Sequence, residues 1–386
     1  MRRLAFTLHI SQPPWQREDA LREAAVKCYL PLIKLIKEKK YKVTLSVPLS
    51  LLELMDKYGY QQWLDDIKEL VRAGKVELVG GAAYNASLTG IPPEFSKFAE
   101  KQIILNEYAL GYYFGKKGGF EGDPSILIRD LKGFFPPNLL VSPNLIDLVN
   151  ELGYEWVLVS PVSLESGEAS IKSGVYTLKE KNVRMVVVNT DLDALMVTKT
   201  NIETSSIMEK LMLQDTSVVA VRGEIFGLED ERGALLLEHI MSSLKEKHVE
   251  LVLVSEFIEL ENESGSIVIE DVMQKDGDKS SDKGSREMLN ELLNAQNLVE
   301  TPASPATILG AEDIAVWKDS ELQKIEDEKL RDSVKADLLF NKCLSVEQFA
   351  NEDGLNLVRS FIDMTQNEDL KSKFDKWLGG NKSPTV

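Results

Sequence analysis

Carboxylates recur where apolar, strand-like runs end: Asp191 and Asp193 follow Met185-Val186-Val187-Val188, and Glu224, Glu229 and Asp230 follow the run from Val218 to Val221. Two carboxyls about 5 to 5.5 Å apart cleave a glycosidic bond with retention, one as nucleophile and the other as acid and base. Trp15 and Gln16 add a stacking face and a hydrogen-bonding partner suited to a pyranose ring. Metal chemistry has little to draw on. The chain has 3 His, and two of them, His239 and His248, fall on or beside a predicted surface helix, leaving His9. Metal-dependent deacetylation, which needs spaced His and paired Asp, does not fit that inventory. Cys28 and Cys343 lie far apart in helix-like segments, so neither a disulfide framework nor a zinc site is indicated, and no cofactor or metal is expected.

The elements that must position these groups alternate. Short apolar runs at Leu4–Ile10, Tyr41–Val47, Val76–Gly80, Gly133–Phe135, Trp156–Val159, Arg184–Asn189, Val218–Val221 and Glu250–Val254 read as strands. Stretches with apolar residues at helical spacing lie among them, at Glu23–Lys39, Ser50–Lys57, Gln61–Ala73, Pro93–Tyr113, Asn144–Gly153 and Gly233–Lys247. This order predicts an α/β fold with a parallel sheet wrapped by helices, and solid apolar runs such as Leu251-Val252-Leu253-Val254 predict strands buried on both faces. The expectation is a barrel, closed or nearly closed, over residues 1–262. An acidic, Gly- and Ser-rich stretch over 263–286 lacks the apolar residues that offset chain ordering and predicts a flexible linker. Residues 287–386 predict a helical C-terminal region.

With 43% hydrophobic residues in 386, the chain can bury a core of barrel size. A formal net charge of −17 excludes a nucleic-acid or anionic-membrane surface, which requires clustered Lys and Arg. No apolar stretch has the length of a signal peptide or a membrane span, so a cytoplasmic protein is the expectation.

Four segments carry a resemblance. They are His9-Ile10-Ser11-Gln12-Pro13, Gly80-Gly81-Ala82-Ala83-Tyr84-Asn85, the frame from Phe135-Pro136-Pro137-Asn138 to Trp156-Val157-Leu158-Val159, and Arg222-Gly223-Glu224-Ile225-Phe226-Gly227. In order and spacing they resemble glycoside hydrolase family 57, the amylase and glucanotransferase family. The resemblance implies a (β/α)7-type incomplete TIM-like barrel of the glycoside hydrolase and deacetylase kind. It also implies a cleft at the strand C-termini for an α-glucan or other oligosaccharide, with His9, Gln12, Trp15, Tyr84, Asn85, Glu224 and Phe226 as candidate contacts.

Against the family pattern, this chain departs at each segment. Ser11 replaces a His and Asn85 an acid. Asn138 stands at the family's nucleophile position and Arg222 at its acid/base position. An amide forms no glycosyl ester, and a guanidinium neither gives up a proton near neutral pH nor tolerates developing oxocarbenium charge. The reading is therefore a member of carbohydrate metabolism without intact catalytic residues. Two alternatives stay open: an active α-glucan hydrolase or transferase with relocated carboxylates, and a non-catalytic scaffold engaging a protein partner through its C-terminal helices. Glu224, which matches a family residue, has as its simplest role a loop carboxylate paired with Arg222.

Overall fold

The computed structural model describes residues 2–14, 16–86, 88, 96–115, 131–164, 171–178, 181–189, 204–211, 216–261 and 263–267. Trp15, Asp191, Asp193, Cys343, most of the expected linker and the whole C-terminal region lie outside them.

Among the described residues ten strands form two sheets. In the first, β1 (Arg3–His9) is flanked by β2 (Val43–Ser46) and β8 (Thr216–Arg222), with β3 (Val76–Leu78) beyond β2 and β9 (Glu250–Val252) against the first residues of β1. All of these pairs are parallel. In the second sheet β4 (Gly133–Phe134), β5 (Trp156–Val159) and β7 (Arg184–Val187) run parallel, β6 (Gly174–Leu178) is antiparallel to β7, and β10 (Gly265–Ile267) closes the edge beside β6. The sheets meet twice, through parallel bridges at Gly80–Phe134 and Asn189–Val219. The ladders thus do not run unbroken around a closed barrel; two sheets face one another across two single-bridge seams.

All eight expected strands and all six expected helical stretches are present, with shifted ends. The strand expected to reach Val254 stops at Val252, and a helix runs over Val254–Leu260. Its start is fixed from elsewhere in the chain: the Val254 N–H donates to Thr44 Oγ1 (3.1 Å) and the Ser255 N–H to Glu77 Oε2 (3.2 Å). Unpaired amides at a helix N-terminus favour such oxygen partners. β6 and β10 were not expected, and Gly265–Ile267 ties the first residues of the acidic stretch to the sheet. Among the described residues no helix is long and apolar enough to cross a membrane.

Side-chain alternation along each strand separates two cores. Leu4, Phe6, Leu8, Val43, Leu45, Val219 and Val221 pack outward beneath the helices. Ala5, Val79, Trp156, Leu158, Val186, Val188, Val218 and Ala220 pack inward between the sheets, with Phe257 and Ile258. Continuing the same parity, His9 and Arg222, which are register partners, share the inward side at the strand C-termini.

Candidate functional site

His9 ends β1, where parallel-stranded folds collect their functional loops. Its Nδ1 lies 3.0 Å from Ser46 Oγ at the end of β2, and its ring stacks on Phe135 at 4.8 Å, 7° from parallel. Burial, reinforced by the neighbouring Arg222 charge, pushes its pKa down to about 4, so the imidazole is neutral near pH 7. Phe135 follows the Gly80–Phe134 seam, held by its N–H donating to the Gly80 carbonyl at 2.9 Å. Two glycines make that seam possible. A Cβ at Gly80 would stand 2.0 Å from the Tyr154 hydroxyl, and one at Gly133 would stand 2.1 Å from the Trp156 ring. The Tyr154 hydroxyl in turn donates to the buried Glu107 carboxylate, whose pKa burial raises to about 6.

Asn85, at φ 56°, and Asn138, at φ 58°, both lie in left-handed backbone. Asn is among the side chains that tolerate this conformation best. Leu139, at φ 57°, has no such ease; its carbonyl holds the turn by accepting the Ser160 N–H at 2.9 Å and the Ser163 hydroxyl at 3.3 Å.

At the end of β8, Arg222 forms a two-point ion pair with Glu229, Nη1 to Oε1 at 3.0 Å and Nη2 to Oε2 at 3.2 Å. The expected Arg222–Glu224 pairing is thereby corrected: the guanidinium takes the carboxylate seven residues on, and Glu224 turns to the loop after β1. There Glu224 Oε1 accepts the Ser11 N–H at 2.9 Å and the Tyr29 hydroxyl at 2.7 Å. Gln12 Nε2 donates to the Tyr29 oxygen at 2.6 Å, and Gln16 Nε2 donates to Gln12 Oε1 at 2.6 Å. Burial raises the Glu224 pKa against the lowering pull of those hydrogen bonds and of Arg222.

Six of the site residues named from sequence separate into three sets. His9 and Arg222 sit side by side with Ser46 and Phe135; Gln12 and Glu224 are joined through Tyr29. Tyr84 and Phe226 are buried in the outward core, and the Tyr84 hydroxyl donates to Glu53 Oε1 at 3.0 Å. Ser46 and Tyr29 were not named in advance. A polar residue closing the apolar run of β2 was the available signal for Ser46. Tyr29 is harder to foresee, because it reaches the loops through a π-turn, Ala25–Tyr29, set in the helical run from Glu18 to Lys39. Pro31 has no N–H for the Lys27 carbonyl four residues earlier, and the Leu30 N–H bonds to Ala25 five residues back. The turn also presents the Cys28 thiol to the Gly223 carbonyl at 3.0 Å, and burial pushes that thiol pKa up, so it is an inert donor.

The family model for glycosyl hydrolase family 57 matches residues 7–270. The chain is 29% identical to an α-amylase of Pyrococcus abyssi over 155 residues, covering 40% of this chain and 21% of that protein. To an α-amylase of Pyrococcus horikoshii it is 25% identical, covering 66% of this chain and 39% of that protein. It therefore spans well under half the length of these curated relatives. Among solved structures, the 4-α-glucanotransferase of Thermococcus litoralis superposes with a TM-score of 0.55 at 22% identity, over 69% of this chain and 40% of that one. An α-amylase of Thermotoga maritima superposes with a TM-score of 0.60 at 12% identity, over 97% of this chain and 96% of that one. At these identities the two structures share the fold.

Proposed function

The chain belongs to glycosyl hydrolase family 57, and from that premise we propose that it is an oligosaccharide-binding member that no longer cleaves glycosidic bonds, its strands forming an incomplete TIM-like barrel. The observation that carries this reading is Arg222. At the inward end of β8, where the resemblance places the proton donor, a guanidinium is clamped to Glu229 at 3.0 and 3.2 Å. A fixed positive charge there opposes the oxocarbenium-like transition state of glycoside cleavage. Asn138, at the nucleophile position, supports the same reading, since an amide forms no glycosyl ester. The polar groups that remain, Gln12, Ser46, Asn85 and Asn138, are hydroxyls and amides of the kind that bind sugar hydroxyls without reacting.

Purified protein incubated at length with maltooligosaccharides or glycogen is expected to retain soluble glucan in affinity electrophoresis while producing no new reducing ends and no change in chain length. Turnover that disappears on mutating one carboxylate near the strand ends would overturn the proposal. The double substitution Asn138→Glu with Arg222→Asp asks whether the frame still supports catalysis, and a gain of hydrolysis or transfer is the expected result.

A further inference from the structure

Resting on the reading of the strand ends as a carbohydrate cleft, we infer that Glu224 is a positioning residue, fastening the loop after β1 to the loop after β8, and not a replacement for the missing acids. A single oxygen, Oε1, takes both the Ser11 N–H and the Tyr29 hydroxyl, donors that lie 213 and 195 residues away in the chain. The hydroxyl carries one proton. Its distance to the carboxylate is 2.7 Å and to the Ser11 carbonyl 3.1 Å, so the shorter, charge-assisted bond takes it. The direction of donation then runs one way, from Gln16 to Gln12 to Tyr29 to Glu224. This fixes the Gln12 amide, because turning it over would set its NH2 group against the Gln16 donor and its carbonyl against an oxygen whose proton is already committed.

The same geometry argues against Glu224 as a surrogate acid. A general acid must hold a proton on an oxygen that faces the leaving group. Here Oε1 is occupied by two donors and holds no proton to give, and its task as an acceptor could be taken by a neutral amide.

The test uses the whole chain and the variants Glu224→Ala, Glu224→Gln and Tyr29→Phe, with two readouts: amide hydrogen exchange of the peptide containing residues 10–16, and affinity for maltoheptaose. Losing a charge-assisted acceptor predicts exchange about tenfold faster and binding about tenfold weaker in Glu224→Ala. Glu224→Gln, which keeps the acceptor oxygen, should regain most of both, and Tyr29→Phe should fall between. Unchanged exchange in Glu224→Ala, or a Gln variant as damaged as the Ala variant, would overturn the inference. If Glu224→Ala does not fold, Tyr29→Phe decides, with faster exchange supporting the tie and native exchange removing it. Should the native protein bind no maltoheptaose, the carbohydrate reading fails, while hydrogen exchange still decides whether Glu224 holds the loop.

Discussion

On the β1–β8 side the half-buried His9 is kept neutral because desolvation and the Arg222 charge both oppose protonation; behind the β3–β4 seam burial raises the Glu107 carboxyl to about 6 against its Tyr154 hydrogen bond. The same loss of water therefore acts on opposite proton affinities. For His9 the unfolded chain binds a proton below pH 6.5 that the folded chain refuses until about 4, so this group's contribution is complete above 6.5 and is lost as pH falls. For Glu107 the folded chain holds a proton up to about 6 that the unfolded chain releases near 4.5, so stability is lost as pH rises across that interval. Burial alone does not set the acid limit of such a fold; the type of each group buried does.

The largest test of this contrast concerns what each side packs against. On the β8 side Gly227, at φ 143°, leaves room for backbone: a Cβ would stand 2.0 Å from the Lys27 carbonyl oxygen. At the seam Gly80 leaves room for a side chain, Tyr154. Backbone yields less than a ring, so Gly227→Ala should cost about 3 kcal/mol or more and Gly80→Ala less, by urea denaturation. Equal costs would erase the distinction. Next, between pH 6.5 and 4 the native protein should lose up to about 3 kcal/mol that His9→Asn does not, seen as a flatter acid limb in the stability profile. Between pH 4.5 and 6, Glu107→Gln should remove a falling slope worth about 2 kcal/mol. A variant profile parallel to the native one at either position would sink the opposed-sign picture. The smallest effect is local: Asn138→Ala should cost about 1 kcal/mol, because Ala lacks the ease of Asn at positive φ, while Asn138→Gly should cost little.

Much of this architecture was legible in the chain. The solid apolar run Met185-Val186-Val187-Val188 read correctly as a strand buried on both faces, parallel to β5 though antiparallel to β6, since burial on both faces leaves no polar alternation. Gly174–Leu178 gives a weak signal because its apolar buried residues reduce to Val175 and Leu178, with Tyr176 and Thr177 half-exposed. The run Leu251-Val252-Leu253-Val254 read as one strand, although Thr44 and Glu77 start a helix at Val254 from other parts of the chain. In the candidate site, residue types were readable and partnerships were not. Arg222 pairs with Glu229 while Ser11 and Tyr29 engage Glu224, and no local pattern announces donors arriving from so far away.

The π-turn at Ala25–Tyr29 amounts to one surplus residue within a helical run. One residue advances a helix by about 100°, so the surplus residue sets which face the segment around it turns toward the core. Leu21 and Ala24 before the turn, Cys28 and Tyr29 within it and Leu32, Ile33 and Ile36 after it all lie in the core, while Val26 and Lys27 look to solvent and Tyr29 points its hydroxyl toward Glu224. Removing a single residue from the turn would rotate Tyr29 against the rest of the run and swing that hydroxyl out of reach, so the length of this helical run, as much as its composition, decides whether the loops after β1 and β8 are joined.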